Sequence, residues 1–182
     1  MKNKIVVVIN GKGGVGKDTL CDFIISKYRA RKISAITPIV KIARENGWNG
    51  EKNSKSRKFL SDLKRAFVEF NNLPNTYLLS EFNAFLKSDD NILFVHIREK
   101  DQIEEFICGT KDKCTAISLL VTNSSKEDTV IGNASDDMVF DYDYDVIYDN
   151  RLSLENAEAD FIKFFKKLLE NEGLEKIIIE KN

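Results

Sequence analysis

The stretch "INGKGGVGKDTL", residues 9 to 20, stands directly behind "KIVVVI", residues 4 to 9, and the pair decides how the rest of the chain is read. A continuous β-branched run suits a strand buried on both faces of a parallel sheet. Such a strand needs a crossover element to reach its parallel neighbour. Residues 17 to 31 are expected to supply it as a helix, with Leu20, Phe23, Ile24 and Tyr28 at helical spacing. Between strand and helix, Gly11 to Lys17 follow the spacing G-x-x-x-x-G-K, with Gly13 and Gly14 added inside. Glycines let successive backbone N–H groups curl around an oxyanion, the helix start aims its positive dipole end at it, and a Lys ammonium reaches the outer oxygens. The phosphate-binding candidates are therefore Gly11, Lys12, Gly13, Gly14, Val15, Gly16, Lys17, Asp18 and Thr19.

Asp18 is the anomaly. A loop of this kind ordinarily places a hydroxyl after its Lys to hold magnesium, together with an aspartate at the end of a neighbouring strand. Here the loop has a carboxylate, and "ILFVHI" at 92 to 97 contains no acid, with His96 and then Arg98 in its place. One reading moves the metal-binding carboxylate from strand to loop, so that Asp18 holds magnesium directly or through water. The rival makes Asp18 a helix cap. Thr19, one residue further round the helix, is poorly placed to replace the missing hydroxyl.

Outward from the loop, "ISAIT" at 33 to 37 reads as a short strand, and Thr37-Pro38 as the N-cap and first residue of a helix closed by Gly47. After the turn-rich "GWNGEKNSKS" comes a periodic helix with Phe59, Leu60, Leu63, Ala66, Phe67 and Phe70 on one face. A second helix follows Pro74-Asn75 and carries Tyr77, Leu78, Phe82, Phe85 and Leu86. "NILFVHI" (91 to 97) and "CTAISLLVT" (114 to 122) read as buried strands around the helical "KDQIEEFI". Residues 123 to 144 are polar and acidic and are expected to form a lid-like loop. "YDVIYDN" gives a last core strand, "SLENAEADFIKFFKKLLENEG" an amphipathic helix, and "KIIIE" an edge strand or a frayed end. Strands alternating with helices in this way predict an α/β fold, a three-layer doubly wound parallel sheet over residues 1–182 as one domain, with its ligand at the carboxyl ends of the strands.

The composition narrows the partners. Of the 182 residues, 42% are hydrophobic and 31% charged, with a formal net charge of -1, so neither disorder nor attraction to nucleic acid is indicated. No apolar run approaches the ~20 residues that span a bilayer. "MKNKIVVVIN" runs into glycines rather than a cleavage site, and Cys21, Cys108 and Cys114 lack metal-type spacing. A cytoplasmic protein with reduced, buried thiols is the expectation; the oligomeric state is open.

"VGKD" at 15 to 18, "GWNGEKNSKSRKFLSDLK" at 47 to 64, "FVHIRE" at 94 to 99 and "NASDDMVFDYDYDVIYDN" at 133 to 150 resemble the P-loop kinases of small metabolites. The nearest type is the deoxynucleoside monophosphate kinases of phage type and the related phosphomevalonate kinases. The resemblance implies a nucleotide kinase-like P-loop NTPase using ATP and magnesium, with an acceptor-binding helical region at about 38–88. It implies that Arg57, Arg44 and Trp48 belong to the acceptor site, and that Asn150 contacts the adenine. Arg98, just past a strand end, would clamp the acceptor phosphate through its two-pronged guanidinium, and Lys17 and Arg98 are the catalytic candidates. "KGGVGK" at 12 to 17 also resembles the partitioning and cell-division ATPases, in which a Lys at the place of Lys12 reaches across a dimer. Those proteins continue Thr-Thr, whereas this chain continues "DT".

The function expected is phosphoryl transfer from ATP to a small phosphorylated acceptor, first a nucleoside or deoxynucleoside monophosphate, with no nucleic-acid or membrane partner. Two rivals stand beside it: a dimerising ATPase of the partitioning type, and a nucleotide-binding protein that has lost catalysis. The lid's lack of arginine and the absent strand-end acid keep the second rival open. His96, the single histidine, is read as a strand residue rather than a base.

Overall fold

A computed structural model describes residues 4–125 and 138–177. Five strands form one all-parallel sheet: β1 (Ile5–Asn10), β2 (Ala30–Ser34), β3 (Ile92–His96), β4 (Thr115–Thr122) and β5 (Val146–Asp149), in the order β2-β3-β1-β4-β5. Among the described residues the helices between and after them are α1 (Lys17–Lys27), α2 (Thr37–Glu45), α3 (Ser54–Asn71), α4 (Leu73–Leu86), α5 (Lys100–Thr110) and α6 (Leu154–Asn171).

The pleat of β1 explains the layers. Ile5, Val7 and Ile9 share a core with Leu20 and Ile24 of α1 and Phe161 and Phe165 of α6. Val6 and Val8 point the other way, into a core with Leu78, Phe82 and Phe85 of α4 and Ile103 and Phe106 of α5. All five apolar residues of β1 are at most 1% exposed, which is why the sequence reads as an unbroken run rather than an alternation. Burying side chains of this size stabilises by roughly 1.5–3 kcal/mol each.

This layering fixes the position of the site. β1 and β3 are hydrogen-bonded neighbours, yet β1 feeds α1 on one face of the sheet and β3 feeds α5 on the other. Chain leaving adjacent strands in opposite directions opens a crevice at their carboxyl ends. The glycine loop and Arg98 border that crevice.

Several boundaries differ from expectation. α1 stops at Lys27, because Tyr28 is extended (φ -121, ψ 162), and the Arg29 carbonyl then accepts the Asn91 amide at 2.8 Å. β2 consequently occupies Ala30–Ser34, three residues before "ISAIT", with Ala30 opposite Ile92; pairing with β3 overrides the helical pattern through residue 31. α2 has Ile36 rather than Thr37 as its N-cap.

In α3 the apolar face is only partly used: Phe59 is 43% and Phe70 81% exposed, Ala66 is exposed, and the buried residues are Ser56 and Lys64. The helix is turned so that Leu60, Lys64 and Phe67 face the body, where Lys64 pairs with Glu99. Cys21 and Cys114 are buried as expected, but Cys108 is exposed.

Of the expected lid at 123–144, residues 126–137 lie outside the described residues. Beyond them Met138–Asp141 form a 3-10 turn, and Tyr142 packs edge-on against Tyr144 at 4.9 Å. Part of "KIIIE" lies in a second 3-10 turn, Glu175–Ile177, and the rest falls outside the described residues.

Candidate phosphate-binding site

The loop after β1 takes its shape from backbone conformations that glycine tolerates. Gly14 (φ +82) and Gly16 (φ +94) lie in the left-handed region, and a Cβ on Gly11 would meet the Val121 carbonyl oxygen of β4. Gly16 is the N-cap of α1, with no side-chain cap bond, so the first amides of α1 are not claimed by a capping side chain. Asp18 therefore does not cap the helix; it sits in the first turn. The Lys17 ammonium folds back over the loop and donates to the carbonyls of Gly11 and Lys12, the latter at 2.8 Å. Lys12 extends instead over the Phe140 ring, 5.3 Å from its centroid. Gly13 and Thr19 are exposed, while Val15 is buried.

Asn150, after β5, closes the loop from the other side. Its Nδ2 donates to the Val15 carbonyl at 2.8 Å, and its own amide donates to the Thr122 carbonyl at 2.9 Å. A cleft of about 200 Å³ opens beside it, lined by Gly14, Thr19, Phe23, Asn123, Asn150 and Leu152 among others. Its walls combine apolar side chains with the carboxamides of Asn123 and Asn150.

On the crevice side, Asp18 and His96 come together: Oδ1 of Asp18 is 3.9 Å from Nε2 of His96. The Asp18 side chain is 78% exposed, and its second neighbour is Lys32 of β2 at 3.3 Å. Partial desolvation pushes the Asp18 carboxyl up, but His96, in the acid range where it is itself protonated, together with Lys32 and Lys17, holds it below the ordinary carboxylate value. Burial pushes His96 down to about 4; Asp18 opposes this, and Lys17, Lys32 and Arg98 add to it, so the ring is neutral at pH 7. Lys32 also contacts Asp22, one turn further along α1, at 2.8 Å. Burial raises the Cys21 thiol, 3.8 Å from His96, far above its usual value, which makes it inert as a nucleophile.

Arg98 is half-buried just beyond β3, and its carbonyl accepts from Asn10 Nδ2 at 3.0 Å. Glu99, the next residue, is paired with Lys64 of α3. Burial lowers the Lys64 pKa and Glu99 opposes that shift. Lys64 escaped the sequence reading, although its spacing from Leu60 and Phe67 puts it on the inward face and was the signal to be had. Trp48 is half-buried and donates from Nε1 to Ser56 Oγ at 3.1 Å; the exposed Arg44 lies 5.9 Å over its ring. Arg57, the residue after Ser56 in the first turn of α3, is exposed.

Among the described residues no group of three or more His, Cys, Asp and Glu side chains is arranged to hold a metal, and no helix is long and apolar enough to cross a membrane.

No protein-family model matches the chain, and no curated protein matches it. Among solved structures it is similar to the crystal structure of a "putative kinase" from Chloroflexus aurantiacus J-10-fl, with a TM-score of 0.54 and 11% identity over 94% of this chain and 98% of that one. At this identity the likeness concerns the fold alone: an α/β architecture with a five-stranded parallel sheet flanked by helices.

Proposed function

We propose that the chain is a P-loop phosphotransferase that moves the γ-phosphoryl group of ATP to a small phosphorylated acceptor, with a nucleoside or deoxynucleoside monophosphate as the first candidate. The observation that carries this reading is the glycine loop with Lys17 at the carboxyl end of a fully buried strand, beside a cleft of about 200 Å³. The kinase-like fold supports it.

In this reading the loop amides and Lys17 bind the donor phosphates. Lys17 leaves the Gly11 and Lys12 carbonyls to do so. The purine lies in the cleft between Phe23 and Leu152, near Asn150. Arg98 holds the acceptor phosphate across the crevice, and Arg57, Arg44 and Trp48 are the further acceptor-site candidates. The bond between the γ-phosphorus and its bridging oxygen breaks, ADP leaves, and an oxygen of the acceptor's phosphate, already ionised at pH 7 because the second phosphate pKa is about 6, takes the phosphoryl group with no proton to be removed. Burial makes His96 a weak base, and an ionised phosphate oxygen needs none, so positioning and charge do the work.

Asp18 fits magnesium. Magnesium keeps several waters and needs few protein oxygens, so one carboxylate beside a phosphate loop suffices. Bound there, the ion would neutralise charge on the donor phosphates. Lys32 would shift from Asp18 to Asp22, which it already touches.

The partitioning-type reading needs Lys12 to cross an interface. Here Lys12 lies over the Phe140 ring of its own chain. The test is a screen of nucleoside monophosphates, deoxynucleotides and phosphomevalonate with ADP release as readout. Acceptor-dependent ADP establishes the kinase; ATP-dependent dimerisation with no acceptor effect establishes the rival; nucleotide binding with neither indicates lost catalysis.

A further inference from the structure

Asn10 interrupts an otherwise apolar strand. It is the last residue of β1, follows Ile-Val-Val-Val-Ile, and is 1% exposed. A buried carboxamide costs free energy unless its polar atoms are bonded. Here they are, and the partners belong to three segments far apart in sequence. Oδ1 accepts from the Gly11 amide at 2.8 Å; Nδ2 donates to the Arg98 carbonyl at 3.0 Å and to the Tyr144 hydroxyl at 2.6 Å. Tyr144 in turn donates to the Val139 carbonyl at 2.9 Å, closing the 3-10 turn onto the same point. One planar group thus joins the start of the phosphate loop, the backbone that carries Arg98, and the Val139–Tyr144 segment.

We infer that Asn10 is a positioning residue that couples occupancy of the donor loop to the placement of Arg98 and of the Val139–Tyr144 segment. This rests on the reading of residues 11–19 as the donor site and of Arg98 as the acceptor-binding group. The physical basis is that the amide plane is rigid. When the Gly11 peptide turns to wrap a phosphate, Oδ1 follows its N–H, and the two Nδ2 bonds carry the rotation to Arg98 and Tyr144. Aspartate would keep the Gly11 bond and lose both donations, and leucine would lose all three; only the carboxamide accepts on one side and donates twice on the other.

Hydrogen exchange on the full chain tests this, with and without a non-hydrolysable ATP analogue and magnesium. In the unmodified protein the analogue slows exchange at residues 11–20 and, by at least about threefold, at 97–101 and 139–145. In Asn10→Ala, checked for folding by its thermal transition, slowing persists at 11–20 and disappears at the other two segments. Tyr144→Phe, which removes one hydroxyl and leaves the bonds to Gly11 and Arg98, keeps the response at 97–101 and loses it at 139–145; it decides the matter if Asn10→Ala does not fold. No slowing at 11–20 in the unmodified protein overturns the donor-site reading and the inference with it. Slowing at 11–20 with no response at 97–101, or a response unchanged in the variants, overturns the role of Asn10 and leaves the donor site standing.

Discussion

Asn150 Nδ2 lies 2.5 Å from where a Cβ on Gly16 would be, and the same nitrogen donates to the Val15 carbonyl. The last strand therefore grips the loop at the point where it becomes a helix, and only glycine leaves room for the grip. A graded glycine series follows. Gly14→Ala meets open space and suffers only from its positive φ, at about 1–2 kcal/mol. Gly16→Ala must also displace Asn150, and Gly11→Ala drives a methyl into a backbone carbonyl, so both lose more, roughly 2–4 kcal/mol. Denaturant unfolding of the three variants checks the order; equal losses would remove the packing argument.

Lys17→Ala and Arg98→Lys separate donor from acceptor. Lys17→Ala weakens ATP binding or abolishes transfer, because the compact cation aimed at the outer phosphates is gone. Arg98→Lys keeps the charge and loses the bidentate fork, so the apparent KM of the acceptor rises about tenfold while ATP affinity stays within about twofold. Loss of ATP binding in a folded Arg98→Lys protein would move Arg98 to the donor site.

Asp18→Asn tests the metal. The amide is the weaker ligand for a hard cation, so the magnesium needed for half-maximal activity rises, by about an order of magnitude. Since Asp18 also pairs with Lys32, the comparison variant is Lys32→Met, which frees Asp18 and lowers the magnesium requirement. Titrations of Asp18→Asn that overlay the unmodified protein's would retire the metal role.

Lys64→Met removes one side of a pair whose members are 11% and 29% exposed and leaves Glu99 without its partner. The loss expected is about 1–3 kcal/mol, and most of it returns in the double variant Lys64→Met/Glu99→Gln, because a neutral pair no longer carries a buried charge. Thermal unfolding of the two single variants and the double variant, combined as a cycle, measures the coupling.

Phe82 and Phe70 are the same residue type with opposite surroundings. Phe82 is 1% exposed and packs on Phe85 and Phe106, whereas Phe70 is 81% exposed. Phe82→Ala costs about 3–5 kcal/mol, and Phe70→Ser stays within about 0.5 kcal/mol. A large loss in Phe70→Ser would restore the burial that periodicity predicts for it.

The sequence by itself determined the parts of this protein that are local and periodic. β1, the glycine loop, the start of α1 and the apolar residues of α4 were legible because a β-branched run, a glycine spacing and a 3.6-residue period each have a single good structural answer. Tertiary structure decided the rest. β2 begins at Ala30 because β3 offers a pairing edge there, and no local signal marks a partner sixty residues away. α3 turns Lys64 inward and leaves Phe59 and Phe70 in water because Glu99, on another element, can neutralise a buried ammonium. Asp18 meets His96, and Asn10 gathers Gly11, Arg98 and Tyr144, because a parallel sheet brings the carboxyl ends of all its strands to one edge. Periodicity states which face of an element is apolar; only the packed chain states what that face, or a polar residue at its end, has to meet.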